Sequence, residues 1–210
     1  MEKLIHISHP TGILEGMLKI PEESLGLIIF VHGSGSSRFS PRNNFVADVL
    51  NDAKLATLLI DLLSRHEDEV YQTRFDIDLL SKRLDVIIQW LEKDPETKGL
   101  TIGLFGSSTG AAAALEIAAL RNKKIKAVVS RGGRPDLALG SLHRVLAPTL
   151  LLVGGDDLEV LKLNQIAFEK LECLKKLEVI PHATHLFEEP GCLQEVARLA
   201  KHWFKEYLEN

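Results

Sequence analysis

The segment from Leu100 to Leu120 constrains the fold more than any other part of the sequence. It starts with an apolar run that ends at Phe105, passes through the turn Gly106-Ser107-Ser108-Thr109-Gly110, and finishes in the alanine-rich run Ala111–Leu120. The turn matches the pattern G-x-S-x-G, which indicates an exposed nucleophilic serine when it lies between a buried strand and a helix. The sequence therefore predicts a strand, a sharp turn and a helix, with Ser108 at the tip of the turn.

The residue types in this turn have a physical reason. A serine exposed on so sharp a bend sits on strained backbone, and side chains two positions to either side of it would collide. Gly106 and Gly110 remove those side chains. Because Ser108 comes just before the helix, free backbone N–H groups point towards charge that develops on a substrate carbonyl.

Strand-like and helix-like patterns alternate along the rest of the chain. Two alternating segments flank the turn signal at 9–12 and predict an N-terminal antiparallel hairpin, and a helix is predicted at 161–174. The charged run at 64–69 is interpreted as a solvated loop. Further buried strands are predicted at 27–31, 56–61, 127–129, 149–153 and 177–180.

This alternation predicts an α/β fold in one domain that spans residues 1–210. The expected architecture is a mainly parallel sheet with the hairpin at one edge and helices on both faces. In such a sheet the loops after the strands share one edge, and ligands bind there. We therefore expect Ser108, Asp157, His185 and the loop at Gly33 to meet at this edge.

A nucleophilic serine needs a base and a carboxylate that orients the base. Asp157 and His185 each follow a predicted strand, which gives the order Ser108, Asp157, His185 along the chain. Asp156 competes with Asp157 for the acid, and His182 competes with His185 for the base. A zinc site at the two histidines lacks further ligands at suitable spacing, so no metal is expected.

The expected oxyanion hole uses two backbone N–H groups. One belongs to Thr109, directly after the nucleophile, and the other to Ser34 in the loop His32-Gly33-Ser34-Gly35. This loop has neither of the glycine patterns that bind nucleotide phosphates, so nucleotide binding is disfavoured.

The composition of the chain limits the classes of molecule that it is expected to bind. The chain has a formal net charge of −4 and no dense cluster of Lys and Arg, which argues against nucleic acid or an anionic membrane as partner. Cys173 and Cys192 lie in different segments without metal-ligand spacing and are interpreted as two reduced thiols. No signal-like or membrane-spanning run is evident, so we expect a cytoplasmic protein with a small-molecule substrate and no cofactor. Oligomeric state stays open.

Four blocks of sequence, taken together, resemble the dienelactone-hydrolase-like branch of the α/β-hydrolase superfamily. The blocks are Ile29–Ser37, Gly106–Gly110, Val129–Asp136 and His182–Phe187. The resemblance implies an α/β-hydrolase fold, with Ser108 as nucleophile, Asp157 as acid and His185 as base. Dienelactone hydrolases themselves use cysteine as the nucleophile, whereas this chain has serine, so the resemblance implies general esterase chemistry rather than dienelactone as substrate.

These observations predict a serine hydrolase of small soluble esters or lactones. The segment after the strand at 127–129 is short, so we expect an open cleft without a lid domain. Arg131 and Arg134 lie at the ligand edge and are candidates for pairing with a substrate carboxylate. The alternatives are a non-catalytic binding module of the same fold, and an acyltransferase or thioesterase that uses the same three side chains.

Overall fold

The computed structural model describes residues 2–24 and 26–208, and within these ranges the chain forms one eight-stranded sheet. The strand order across the sheet is β1-β2-β4-β3-β5-β6-β7-β8. The strands are β1 (Glu2–His9), β2 (Gly12–Lys19), β3 (Leu27–Val31), β4 (Ala56–Ile60), β5 (Ile102–Ser107), β6 (Ile125–Arg131), β7 (Thr149–Gly154) and β8 (Lys175–Ile180).

The first two strands form the predicted antiparallel hairpin. His9 pairs with Gly12 across its turn, and β2 runs antiparallel to β4. All other neighbouring strands are parallel. β3 to β7 are fully buried, except for Lys126 on β6, which explains their nearly continuous apolar sequences.

Helices cover both faces of the sheet, as predicted. α1 and α6 pack over one apolar cluster, while α3, α4 and α5 contribute to a second cluster on the opposite face. The helices are α1 (Pro41–Asp52), α2 (Arg65–Asp68), α3 (Ile77–Leu91), α4 (Thr109–Leu120), α5 (Leu158–Lys170) and α6 (Cys192–Leu208).

Local signals place the helix starts. Ser40 caps α1 by accepting a hydrogen bond from the N–H of Asn43 at 3.4 Å, and Asp76 caps α3 by accepting one from Leu79 at 2.9 Å. α5 begins at Leu158, earlier than the sequence pattern indicated, because Asp157 ends the loop after β7 and becomes the N-cap residue.

The charged run at 64–69 is more ordered than its sequence suggests. Ser64 and Glu67 form a capping box at the start of α2, and Glu67 also pairs with the buried Arg83 of α3. The hydrogen bond from Arg83 lowers the pKa of Glu67 to about 2. Alternation of charges along a segment cannot reveal such a partner because Arg83 lies on a different element.

The connection between β6 and β7 carries no lid. Residues 132–148 are all described, and their only regular elements are the short 3₁₀ turns Pro135–Ala138 and Leu142–Arg144. The edge of the sheet above β5 therefore lacks an inserted cap from this connection. No helix in the described ranges is long and apolar enough to cross a bilayer.

Candidate active site

Ser108 sits on the strained bend that joins β5 to α4. Its φ of 50° and ψ of −123° lie outside the regions that non-glycine residues ordinarily occupy. A Cβ at Gly106 would lie 2.8 Å from the backbone nitrogen of Ala111. A Cβ at Gly110 would lie 2.5 Å from the carbonyl oxygen of His32, and closer still to that of Val31. The two glycines thus allow the bend to close against α4 and the end of β3.

Substituting Gly110 by alanine is expected to destabilise the fold by about 3 kcal/mol or more, because backbone atoms of β3 cannot move aside for the added methyl group. The midpoint of urea unfolding, followed by circular dichroism, measures this. Gly140→Ala is the matched control, because a Cβ there meets nothing within 4 Å. Its effect should stay within about 0.5 kcal/mol. Equal midpoints for the two variants would contradict the close approach at Gly110.

The loop after β3 lies directly against the nucleophile. A Cβ at Gly33 would come within 2.9 Å of the Ser108 Cβ, so only glycine allows this approach. The Ser34 N–H donates a hydrogen bond of 2.9 Å to the hydroxyl of Thr109. The structure therefore brings Ser34 and Thr109, the two expected oxyanion donors, into direct contact beside Ser108.

The loop after β6 supports the bend from the other side. Ser108 donates its N–H to the carbonyl of Arg131 at 3.3 Å, and Arg134 donates its N–H to the carbonyl of Ser108 at 3.0 Å. Gly132 lies between them at a φ of 50°, and a Cβ there would be 3.5 Å from the Cε1 atom of His185. The same short loop thus touches both the nucleophile and the histidine.

His185 and Asp157 form a direct pair. His185 Nδ1 lies 2.7 Å from Asp157 Oδ2, where the carboxylate accepts a ring N–H. The loop geometry separates the two candidate acids, because Asp156 is exposed and donates its backbone N–H to the carbonyl of Ala183 at 3.0 Å. His182 is likewise exposed, on left-handed backbone with a φ of 62°. Of the four competing residues, only Asp157 and His185 meet.

The two candidate arginines have different surroundings. Arg134 forms two hydrogen bonds of 2.8 Å to the carboxylate of Asp136, so its charge is already balanced. Arg131 is only 8% exposed, and its Nε and Nη1 atoms have no hydrogen-bond partner among the described residues. Burial, together with the neighbouring Arg42 guanidinium, lowers the pKa of Arg131 to about 10.

Sequence reasoning missed a charged network beside the oxyanion loop. Asp61, just after β4, pairs with Arg38 and lies 3.4 Å from the ring of His32. Although burial opposes the charged form, hydrogen bonds from His32 and Arg38 lower the pKa of Asp61. These residues and Glu15 line a cleft of about 500 Å³. The signal in the sequence that could have identified this network is the carboxylate of Asp61, which directly follows a buried strand.

The described residues include no group of three or more His, Cys, Asp or Glu side chains arranged to hold a metal ion. Cys173 and Cys192 are both free thiols. The edge of the sheet brings together the hydroxyl of Ser108, the imidazole–carboxylate pair of His185 and Asp157, and backbone N–H donors.

An eight-stranded sheet in this order, with a strained serine turn after β5, an acid after β7 and a histidine after β8, defines the α/β-hydrolase class. Comparison with known proteins narrows this class. Residues 50–208 match the model of the dienelactone hydrolase family, and the chain belongs to that family.

Solved structures agree with this assignment. A dienelactone hydrolase from Anabaena variabilis is 52% identical and superposes with a TM-score of 0.95 over 99% of this chain and 98% of that one. A serine hydrolase without a lid from Xanthomonas campestris shares the fold at 20% identity, with a TM-score of 0.77 over 98% of this chain and 94% of that one.

Curated relatives add a different name. A protein of Mycobacterium tuberculosis called a putative phosphoribosyl transferase is 53% identical over 193 residues. The match covers 92% of this chain but 44% of that protein. This chain therefore spans less than half the length of the curated relatives that it matches.

Proposed function

We propose that this chain is a serine hydrolase that cleaves small carboxylic esters or lactones through an acyl-enzyme on Ser108. The observation that carries the proposal is the 2.7 Å pair of His185 and Asp157 at the same sheet edge as the strained Ser108. An inert binding module of this fold has no need for a strained serine or for an imidazole held by a carboxylate. Membership of the dienelactone hydrolase family supports hydrolytic chemistry.

In the proposed mechanism, Asp157 fixes the proton of His185 on Nδ1. The opposite ring nitrogen, Nε2, then has its lone pair free to accept the proton of Ser108 as the hydroxyl attacks an ester carbonyl. The protonated ring next donates to the departing alcohol. Water, activated by the same nitrogen, releases the acid from Ser108.

The oxyanion of each tetrahedral intermediate would bind the N–H groups of Thr109 and Ser34. Thr109 is the first residue of α4, so its N–H has no partner within the helix. The Ser34 N–H is held by the Thr109 hydroxyl before substrate binds. The carbonyl oxygen of the substrate would take over or share this donor, and each such donor lowers the barrier by about 3 kcal/mol.

Serine at position 108 shapes the range of substrates. A serine hydroxyl, unlike a cysteine thiolate, has to be deprotonated by its base during the attack. This mechanism is the general one for the hydrolysis of carboxylic esters. The uncovered edge after β6 and the cleft of about 500 Å³ beside the oxyanion loop fit a small soluble ester. Thioesters and acyl acceptors other than water use the same residues and form the second candidate.

The name of the Mycobacterium tuberculosis relatives refers to proteins more than twice as long as their match to this chain. We assign the hydrolytic chemistry to the portion that corresponds to this chain. In this scheme the ligand is a small molecule, the reaction needs no cofactor, and the protein acts in the cytoplasm.

A fluorophosphonate probe tests the proposal, because it phosphonylates only a serine that an adjacent base activates. We expect one label per chain, located by peptide mass spectrometry on Ser108. The neighbouring serine gives a matched control, since Ser107 is 3% exposed and bonded to Asn43, so Ser107→Ala should label as the wild type does. A folded wild-type protein that takes up no label would rule out the proposed mechanism and favour the binding module.

A further inference from the structure

β8 forms one edge of the sheet, and within the described residues no further strand lies beside it. Its inner side pairs with β7, where the carbonyl oxygen of Leu174, just before β8, accepts a hydrogen bond of 2.9 Å from Thr149. Main-chain groups of successive residues alternate between the two sides of a strand. The N–H and C=O groups of Lys175, Leu177 and Val179 therefore point away from β7, towards the open edge.

The charges on β8 do not protect this edge. Edge strands usually carry charged side chains, above all lysine, that keep other strands away. Lys175, however, turns towards α5 and donates hydrogen bonds of 2.6 Å to the carbonyls of Phe168 and Leu171. Lys176 pairs with Glu178 at 2.6 Å. Neither lysine therefore leaves an unbalanced charge at the edge.

Apolar side chains accompany the open edge. Leu174 is 56% exposed and Val179 is 43% exposed, at opposite ends of the strand. Leu174 also lines a groove of about 350 Å³ between β8 and α6, together with Trp203 and Tyr207. A strand laid along β8 would remove both exposed side chains from water, and this burial would favour association.

The sequence of β8 is complementary to itself in one antiparallel register. When Leu177 faces Leu177 of a second copy, Lys176 of each chain faces Glu178 of the other. Because the main-chain groups of Leu177 point outwards, the central pair is a hydrogen-bonded one. Lys176 and Glu178 then form the non-hydrogen-bonded pairs, in which side chains approach most closely. Moving the centre by one residue in either direction would place Lys176 against Lys176, or Glu178 against Glu178.

We infer that β8 pairs with β8 of a second copy of this chain in that register, which joins the two sheets into one continuous sheet. A two-fold axis runs through the Leu177 pair, perpendicular to the sheet. Lys176 and Glu178 of the two chains form a square of four charges that alternate in sign. This charge complementarity favours a second copy over an unrelated strand, and the pairing is independent of the proposed function.

Variants of opposite charge test the pairing. In Glu178→Lys both positions of the charged pair are positive, and in Lys176→Glu both are negative. Sedimentation velocity at chain concentrations up to about 100 μM should show a dimer for the wild type. Each variant alone should dimerise with a Kd raised about ten- to a hundredfold, because like charges then face each other. An equimolar mixture of the two should form a heterodimer about as tightly as the wild type dimerises.

The mixture separates pairing between chains from a structural role within one chain. Both variants lose the pair between positions 176 and 178 of their own chain, so mixing restores only contacts between chains. Glu22→Lys is the matched control, because it makes the same change at an exposed glutamate between β2 and β3, and it should dimerise as the wild type does. A monomeric wild type, variants that dimerise unchanged, or a mixture no more dimeric than its components would each overturn the inference.

Proline at position 179 tests the main-chain part of the pairing. Val179→Pro removes an N–H group that points to the open edge, so the bonds between β7 and β8 stay in place. With folding checked by circular dichroism, this variant should raise the Kd of the dimer at least about tenfold. Val179→Ala keeps the N–H group and should raise it only about threefold. A folded Val179→Pro variant that dimerises as tightly as the wild type would refute the strand pairing.

Discussion

Replacing Ser108 by alanine is expected to lower kcat for ester hydrolysis by about a millionfold, to the level left by the oxyanion donors and by substrate positioning. In the proposed mechanism this hydroxyl forms the acyl-enzyme, and Ser107 cannot take its place because it is buried and turned towards Asn43. The substitution removes no contact that supports the strained backbone, since the bonds to Arg131 and Arg134 are made by main-chain atoms. The variant should therefore fold normally.

Hydrolysis of 4-nitrophenyl acetate, with circular dichroism as a check on folding, measures this loss. His185→Ala should lose activity to a similar degree, and the double variant should lose little more, because the two residues act as one unit. Losses that multiply in the double variant would mean that Ser108 and His185 act in separate steps. A Ser108→Ala variant that keeps a tenth of the activity would exclude an acyl-enzyme on this residue.

Changing Asp157 to asparagine is expected to lower kcat by about ten-thousandfold. The carboxylate can only accept a hydrogen bond from His185 Nδ1, so it keeps the proton on that nitrogen. An amide can donate as well, which allows the ring to carry its proton on Nε2 and so removes the lone pair that Ser108 needs. The size of the side chain and the overall geometry barely change.

Asp156→Asn is the matched control, because the same chemical change is made one residue away, on a side chain that is exposed and whose backbone holds the loop. Its kcat should stay within about twofold of the wild type, as expected for an exposed surface position. Steady-state rates on one neutral ester suffice for both variants. Equal losses of kcat in the two variants would show that hydrolysis depends on the conformation of the loop rather than on the carboxylate of Asp157.

The sequence was sufficient to predict the sheet, the hairpin and the edge of the sheet at which Ser108, Asp157 and His185 lie. The bend at Ser108 is local, since strand, glycines and helix are consecutive, and short-range patterns describe it fully. The choice between Asp156 and Asp157 is not local. It depends on a hydrogen bond to Ala183, which belongs to a loop that only the folded sheet brings near.

Arg131 and Arg134 also show that local sequence does not reveal which distant residues surround a side chain. Arg131 and Arg134 look alike in sequence, yet one is the last residue of a buried strand and the other is beside a carboxylate two residues away. Because β6 extends to Arg131, the side chains of Ser130 and Arg131 point to opposite faces of the sheet. What covers those faces, including Arg42 and Phe187, came from distant parts of the chain.

The conformation of Ser108 also has a consequence for synthesis. The strained bend is held by main-chain contacts from β3 and from the loop after β6, and its proposed base, His185, comes from the loop after β8. A chain emerging from the ribosome therefore contains the serine long before it contains the residues that are proposed to activate it. Reactivity towards a serine probe would appear only when the last strand and α6 have docked, so the rate of labelling reports on the final step of folding.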